Sequence, residues 1–188
     1  SGLLLYGISL VYGFTGSIDF AKIATALADG NSKNPAVILG FLFILSAMAF
    51  KISAAPFHMW APDVYQGTPT LFTASMATLV KIAAIGAFYR LVQLNYAVLP
   101  DWINWYFVLL ILATLILGNI QAVSQNSVKR LFAYSGIVQS GFILMGFLYQ
   151  SEFVYWTMLF YFIAYASASL VGFIVIHFVE TQSGSDNL

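Results

Sequence analysis

The chain sets long apolar runs between short polar breaks, and that pattern predicts a series of helices. Crossing ~30 Å of hydrocarbon takes about 20 apolar residues at ~1.5 Å each. Runs over 36–60, 70–94, 102–123, 131–149 and 154–179 are of that order, and a shorter run over 3–14 has the character of part of a span. Thr15-Gly16-Ser17, Pro100-Asp101, Ser124–Arg130 and Ser151-Glu152 separate them. So does a turn-rich stretch from Ala61-Pro62-Asp63 to Gly67-Thr68-Pro69. Pro35 stands where a helix would start. Within the polar interval Asp19 to Asn34, Phe20–Ala24 predicts a short helix lying at an interface. Strands of a membrane barrel would be ~9–11 residues long and alternate in polarity. These runs are twice that length without alternation, so helices, which satisfy their own backbone, are expected. The predicted fold is an all-α, polytopic transmembrane helix bundle forming one domain over 1–188. Its first run lacks the basic flank of a signal peptide, so the chain is expected to be an internal fragment of a larger subunit.

Composition narrows the chemistry. Of 188 residues, 61% are hydrophobic and 7% charged, against about 25% charged in a soluble domain. A water-facing surface cannot be made from so few charges. Seven basic and seven acidic side chains leave no net charge, which excludes the basic stripe of a nucleic-acid binder. The absence of Cys excludes disulfides, Cys-ligated zinc, iron–sulfur ligation and thiol chemistry. His58 and His177 are too far apart in sequence to suggest a metal site, and no metal is expected. Lys22, Lys33 and Arg90 on one side against Lys129 and Arg130 on the other do not fix an orientation.

Two charges fall where lipid should be. Lys51 lies 9 residues before Trp60 and Lys81 lies 12 after Pro69. Each is roughly 14–18 Å from the same membrane face at ~1.5 Å per residue, beyond the reach of a snorkelling side chain. An intramembrane Lys costs about 2.5–3.5 kcal/mol on insertion scales and by default marks function. One alternative is a structural ammonium bonded to carbonyls or paired with an acid. The other is an ion or proton relay, since a desolvated ammonium can release its proton and an approaching acid can return it. Pro56, five residues after Lys51, removes a donor and clashes with the Ile52 carbonyl. Breaks of this kind in lipid must face protein or water, so a hydrated pocket holding Ser53 and His58 is expected there. On an unbroken helix His58 would share a face with Lys51; the competing role for it is a cap or interfacial anchor.

Other polar groups have plainer expectations. Asp63 is a turn or cap residue. His177 and Glu180 mark a solvated helix end. Lys129 and Arg130 meet lipid phosphates or a neighbouring subunit, and Ala166-Ser167-Ala168-Ser169 with Gly172 forms a small-residue packing face.

The segment Phe50-Lys51-Ile52-Ser53-Ala54-Ala55-Pro56-Phe57-His58-Met59-Trp60-Ala61-Pro62-Asp63-Val64-Tyr65-Gln66-Gly67-Thr68-Pro69 closely resembles the signature of the antiporter-like membrane subunits of respiratory complex I. Ser1–Gly7 with Tyr12-Gly13, and Val128–Ser135, agree with it. The resemblance implies the sixth to eleventh helices of a fourteen-helix subunit, with Lys51 and Lys81 in a hydrated lysine chain coupled to quinone reduction elsewhere. It implies proton translocation within an NADH:quinone oxidoreductase, other membrane subunits of that complex as partners, and a bacterial inner membrane or, alternatively, a mitochondrial one. NAD, FMN, iron–sulfur clusters and quinone would belong to other subunits, leaving no cofactor in this chain. The rival is a subunit of a multi-subunit sodium(cation)/proton antiporter. The sequence departs from the pattern at Gln66, Leu71 and Gln139, where many relatives carry Glu, Pro and His.

Overall fold

In the computed structural model, which describes residues 2–28, 34–95, 102–149 and 151–183, every regular element is helical. Helix α1 (Gly2–Thr15) ends where Gly16 takes φ 67°, a left-handed turn open to glycine at no steric cost. The chain bends by 58° into α2 (Phe20–Ala28). This short helix keeps Lys22 exposed and buries Ile23 and Leu27 against Val37, Phe41 and Ile44. Asp29, Lys33, Pro100, Asp101 and the tail beyond Ser183 lie outside the described residues.

Helix α3 (Pro35–Lys51) begins at its proline, and the Asn34 side chain accepts the Ala36 N–H at 3.0 Å, a standard N-cap bond. It crosses α1 at a pair of glycines. A Cβ on Gly7 would lie 2.7 Å from the Gly40 carbonyl oxygen and 2.8 Å from Ile44 Cγ1. The backbone cannot yield there cheaply, so Gly7→Ala is expected to destabilise the protein by about 1–3 kcal/mol. The check is a lowered thermal unfolding midpoint of the purified protein, without loss of helix content at low temperature.

The sequence predicts a run to Trp60, but the structure ends α3 at Lys51. Residues 52–59 are irregular, with Ser53 at φ 59° and a cis Ala55–Pro56 peptide. The stretch expected as a loop is instead α4 (Trp60–Gly67). Pro62 falls in its first turn, where proline is tolerated. Asp63 is in the same turn, where the helix dipole favours a carboxylate. Residues taken as breakers thus open a new helix.

Helix α5 (Thr70–Ser75), a π-helical turn (Met76–Val80) and α6 (Lys81–Asn95) follow as one run. Then come α7 (Trp102–Val123), α8 (Val128–Leu144) with a 3₁₀ turn at Met145–Phe147, and α9 (Glu152–Ser183). Among the described residues, Thr70–Gln93, Trp102–Val123 and Phe153–Gln182 are each long and apolar enough to cross a membrane, and the bent pair α1–α2 would make a fourth span. The core gathers Leu45, Ala49, Ile85, Phe88, Phe107 and Phe147, with the Phe88 and Phe147 rings 4.9 Å apart. Leu109, Ile120, Phe153, Phe160 and Ile163 face outward. An apolar exterior around an apolar core is what lipid or further helices require.

Candidate functional site

Lys81 is the first residue of α6, directly after the π-helical turn. Such a turn carries an extra residue and rotates the face that follows it. Lys81 is 3% exposed, and its Nζ donates to the Gly136 carbonyl of α8 at 2.6 Å. Gly136 allows this approach because it has no side chain: a Cβ would lie 3.0 Å from Lys81 Nζ and 2.9 Å from the Tyr165 hydroxyl. Tyr165, on α9, donates to the Ala77 carbonyl of the π turn at 3.3 Å. Among the described residues, no carboxylate pairs with Lys81 and the Gly136 carbonyl is the only hydrogen-bond partner of its ammonium. An ammonium has three N–H donors, so its charge is only partly compensated.

The break between α3 and α4 lies beside this bond. The Ile52 carbonyl, which Pro56 prevents from joining a helix, accepts the Ser140 hydroxyl of α8 at 2.9 Å. The Ala55 N–H donates to Thr114 Oγ1 of α7 at 2.9 Å, and the Trp60 indole N–H donates to the Phe50 carbonyl at 3.1 Å. Side chains from α4, α7 and α8 therefore replace the bonds a helix would have made. Two polar side-chain atoms in the break have no partner: Ser53 Oγ and His58 Nδ1, both buried. His58 Nε2 lies 2.8 Å from Gln121 Oε1 of α7, so the imidazole is tied to a neighbouring helix inside the bundle. A positive φ at a serine costs on the order of 1–2 kcal/mol, and strain of this kind collects at functional sites.

Lys51, expected at the same membrane depth as Lys81, is exposed. It is the last residue of α3, where the negative end of the dipole favours a cation. Because α3 stops there, no continuous helical face carries His58 above it. Pro56 is exposed as well, while Ser53 and His58 turn inward.

The charges at the other end of α8 also correct the sequence reading. Lys129 is buried and Arg130 half-buried, and both are paired within the chain. Lys129 Nζ pairs with Glu180 Oε1 of α9 at 2.6 Å, with the lysine side chain 8% and the glutamate 22% exposed. The Thr70 hydroxyl donates to the second oxygen of Glu180, and Lys129 also reaches the Thr68 carbonyl at 3.4 Å. Glu180 is thus a clasp rather than a solvated end. Arg130 pairs with Asp63 at 2.7 Å and donates to Gln125 at 2.9 Å and Gln66 at 3.2 Å. Gln139 accepts from the Tyr161 hydroxyl. Gly172 packs against the Phe132 ring, while Ser167 and Ala168 remain exposed.

Residues 1–188 match the family described as NADH:quinone oxidoreductase/Mrp antiporter, TM. The chain belongs to this family. It is 41% identical to NADH-quinone oxidoreductase subunit N of Cytophaga hutchinsonii, over 98% of this chain and 39% of that protein. Among solved structures, respiratory complex I from Thermus thermophilus matches with a TM-score of 0.75 at 32% identity, covering 94% of this chain and 36% of the other. The Mrp complex from Dietzia matches with a TM-score of 0.85 at 26% identity, covering 100% and 34%. The chain therefore spans about two fifths of the length of the curated relatives it matches. In this member of the family, the partners that sequence reading missed are Gly136, Ser140, Thr114 and Gln121. None titrates, and each acts through a carbonyl, a hydroxyl or an amide that hydropathy does not mark.

Proposed function

We propose that this chain is the central part of a proton-translocating membrane subunit of an NADH:quinone oxidoreductase, relaying protons through Lys81. The observation that carries this reading is a lysine enclosed within a membrane-length run whose ammonium has, among the described residues, one carbonyl partner and no acid. A lysine serving structure alone would recruit an acid or several acceptors. The single bond to Gly136 leaves donors free for water arriving from the break. Ser53 Oγ and His58 Nδ1, buried and unpaired, are the groups such water would meet. Lys81 accepts and releases the proton, while Lys51 on the flank of the break biases that step by its charge. Electron transfer, and with it NAD, FMN, iron–sulfur clusters and quinone, belongs to other subunits. Other membrane subunits of the complex are its partners, and the membrane is the bacterial inner membrane.

A sodium(cation)/proton antiporter subunit is a second reading, favoured by the higher TM-score to the Mrp complex. Sequence identity points the other way, with relatives named as subunit N at 41% and 43%. Inverted vesicles carrying the intact complex separate the two. NADH should acidify their lumen at an equal rate with and without sodium, and Lys51→Ala should lower that rate. Acidification driven by a sodium gradient, with no response to NADH, would establish the antiporter instead.

A further inference from the structure

We propose that Ser140 is a positioning residue that links the state of Lys81 to the broken end of α3; this rests on the relay reading of Lys81. The Ser140 hydroxyl lies 2.9 Å from the Ile52 carbonyl oxygen and 3.0 Å from that of Gly136. It has one proton and can serve one of them fully at a time. Gly136 O is also the acceptor of Lys81 Nζ. Two donors, the Lys81 ammonium on α6 and the Ser140 hydroxyl on α8, therefore share two carbonyls, that of Gly136 on α8 and that of Ile52, the residue next to Lys51 at the end of α3.

The two arrangements differ in energy according to Lys81. While the ammonium holds Gly136 O, a short charge-assisted bond satisfies that carbonyl, and the Ser140 proton goes to Ile52 O. When the amine gives up its proton or swings away, Gly136 O becomes an open acceptor four residues before Ser140. The hydroxyl then turns to it, making the back-bond serines form within helices. Ile52 is fully buried, so its carbonyl is left without a donor, and that state is costly unless water enters. Water drawn there adjoins Ser53 and opens the break beside Lys51. Apart from the proton that Lys81 passes to water or the swing of its amine, the link itself needs only the rotation of one hydroxyl.

Hydrogen–deuterium exchange on the intact, detergent-solubilised complex tests the link at the backbone N–H groups of the stretch 52–58, to which Pro56 contributes none. Lys81→Met and Ser140→Ala should each raise exchange there about fivefold. The double variant should exceed neither single one, since both act through one hydroxyl. Ser140→Thr, which keeps the hydroxyl, should exchange like wild type. Unchanged exchange at 52–58 in Lys81→Met would overturn the proposal, as would additive effects in the double variant. NADH-driven pumping by the same Lys81→Met sample, if normal, would overturn the relay reading separately from the link.

Discussion

Lys81→Met is expected to suppress proton transfer through this subunit by on the order of a hundredfold, the usual worth of a positioned proton-transfer group. Methionine keeps the length and apolar stem of the lysine but has no proton to give. It also removes a cation whose only partner among the described residues is the Gly136 carbonyl. Burying a charge with incomplete compensation costs free energy, so the variant should assemble at least as well as wild type. A loss of pumping without a loss of assembled complex is therefore the diagnostic result, measured as NADH-driven acidification in liposomes per unit of complex.

Lys81→Arg makes the distinction sharper. Arginine keeps the positive charge and can donate to Gly136, but it does not deprotonate under these conditions. If Lys81 acted only by its charge or by its hydrogen bond, arginine would retain much of the activity. A relay requires it to fail like methionine. Wild-type pumping in Lys81→Met, or near-normal pumping in Lys81→Arg, would remove Lys81 from the proton path.

What the sequence made visible follows from the physics of each feature. Apolar runs are compositional, so the positions of α7 and α9 are legible to within a few residues. Pro56 announces a break because its ring and missing N–H act locally. The helix that follows is hidden, since Pro62 looks like a breaker in the linear sequence and is harmless only in the first turn that Trp60 begins. The π-helical turn before Lys81 is hidden too, because one extra residue in Met76–Val80 leaves hydropathy unchanged while redirecting the lysine. Lys51 carries the same residue type and a similar distance from the loop, yet it is exposed. Depth along a helix can be counted from sequence, whereas the face it presents depends on neighbours distant in sequence. The same limit conceals Lys129 and Glu180, whose helices meet although 51 positions separate them.

That pair carries the second large effect. Lys129 is near the N-terminus of α8 and Glu180 near the C-terminus of α9, so each charge sits at the helix end whose dipole disfavours it. Their mutual contact, with Thr70 and the Thr68 carbonyl, compensates both. Glu180→Gln leaves the Lys129 ammonium nearly buried at a positive helix end without a counter-charge. Breaking a buried pair from one side costs about 3–5 kcal/mol. Glu180 is partly exposed, so about 3 kcal/mol is expected, appearing as a lowered unfolding midpoint and less assembled complex. Adding Lys129→Met to Glu180→Gln should recover most of that stability, because removing both charges of a buried pair is often neutral or better. The clasp joins α8 and α9 to the start of α5 without touching Lys81, so protons pumped per assembled complex should stay near wild type in the double variant. A double variant as unstable as Glu180→Gln would mean that the pair's charges matter individually and not as a mutual compensation.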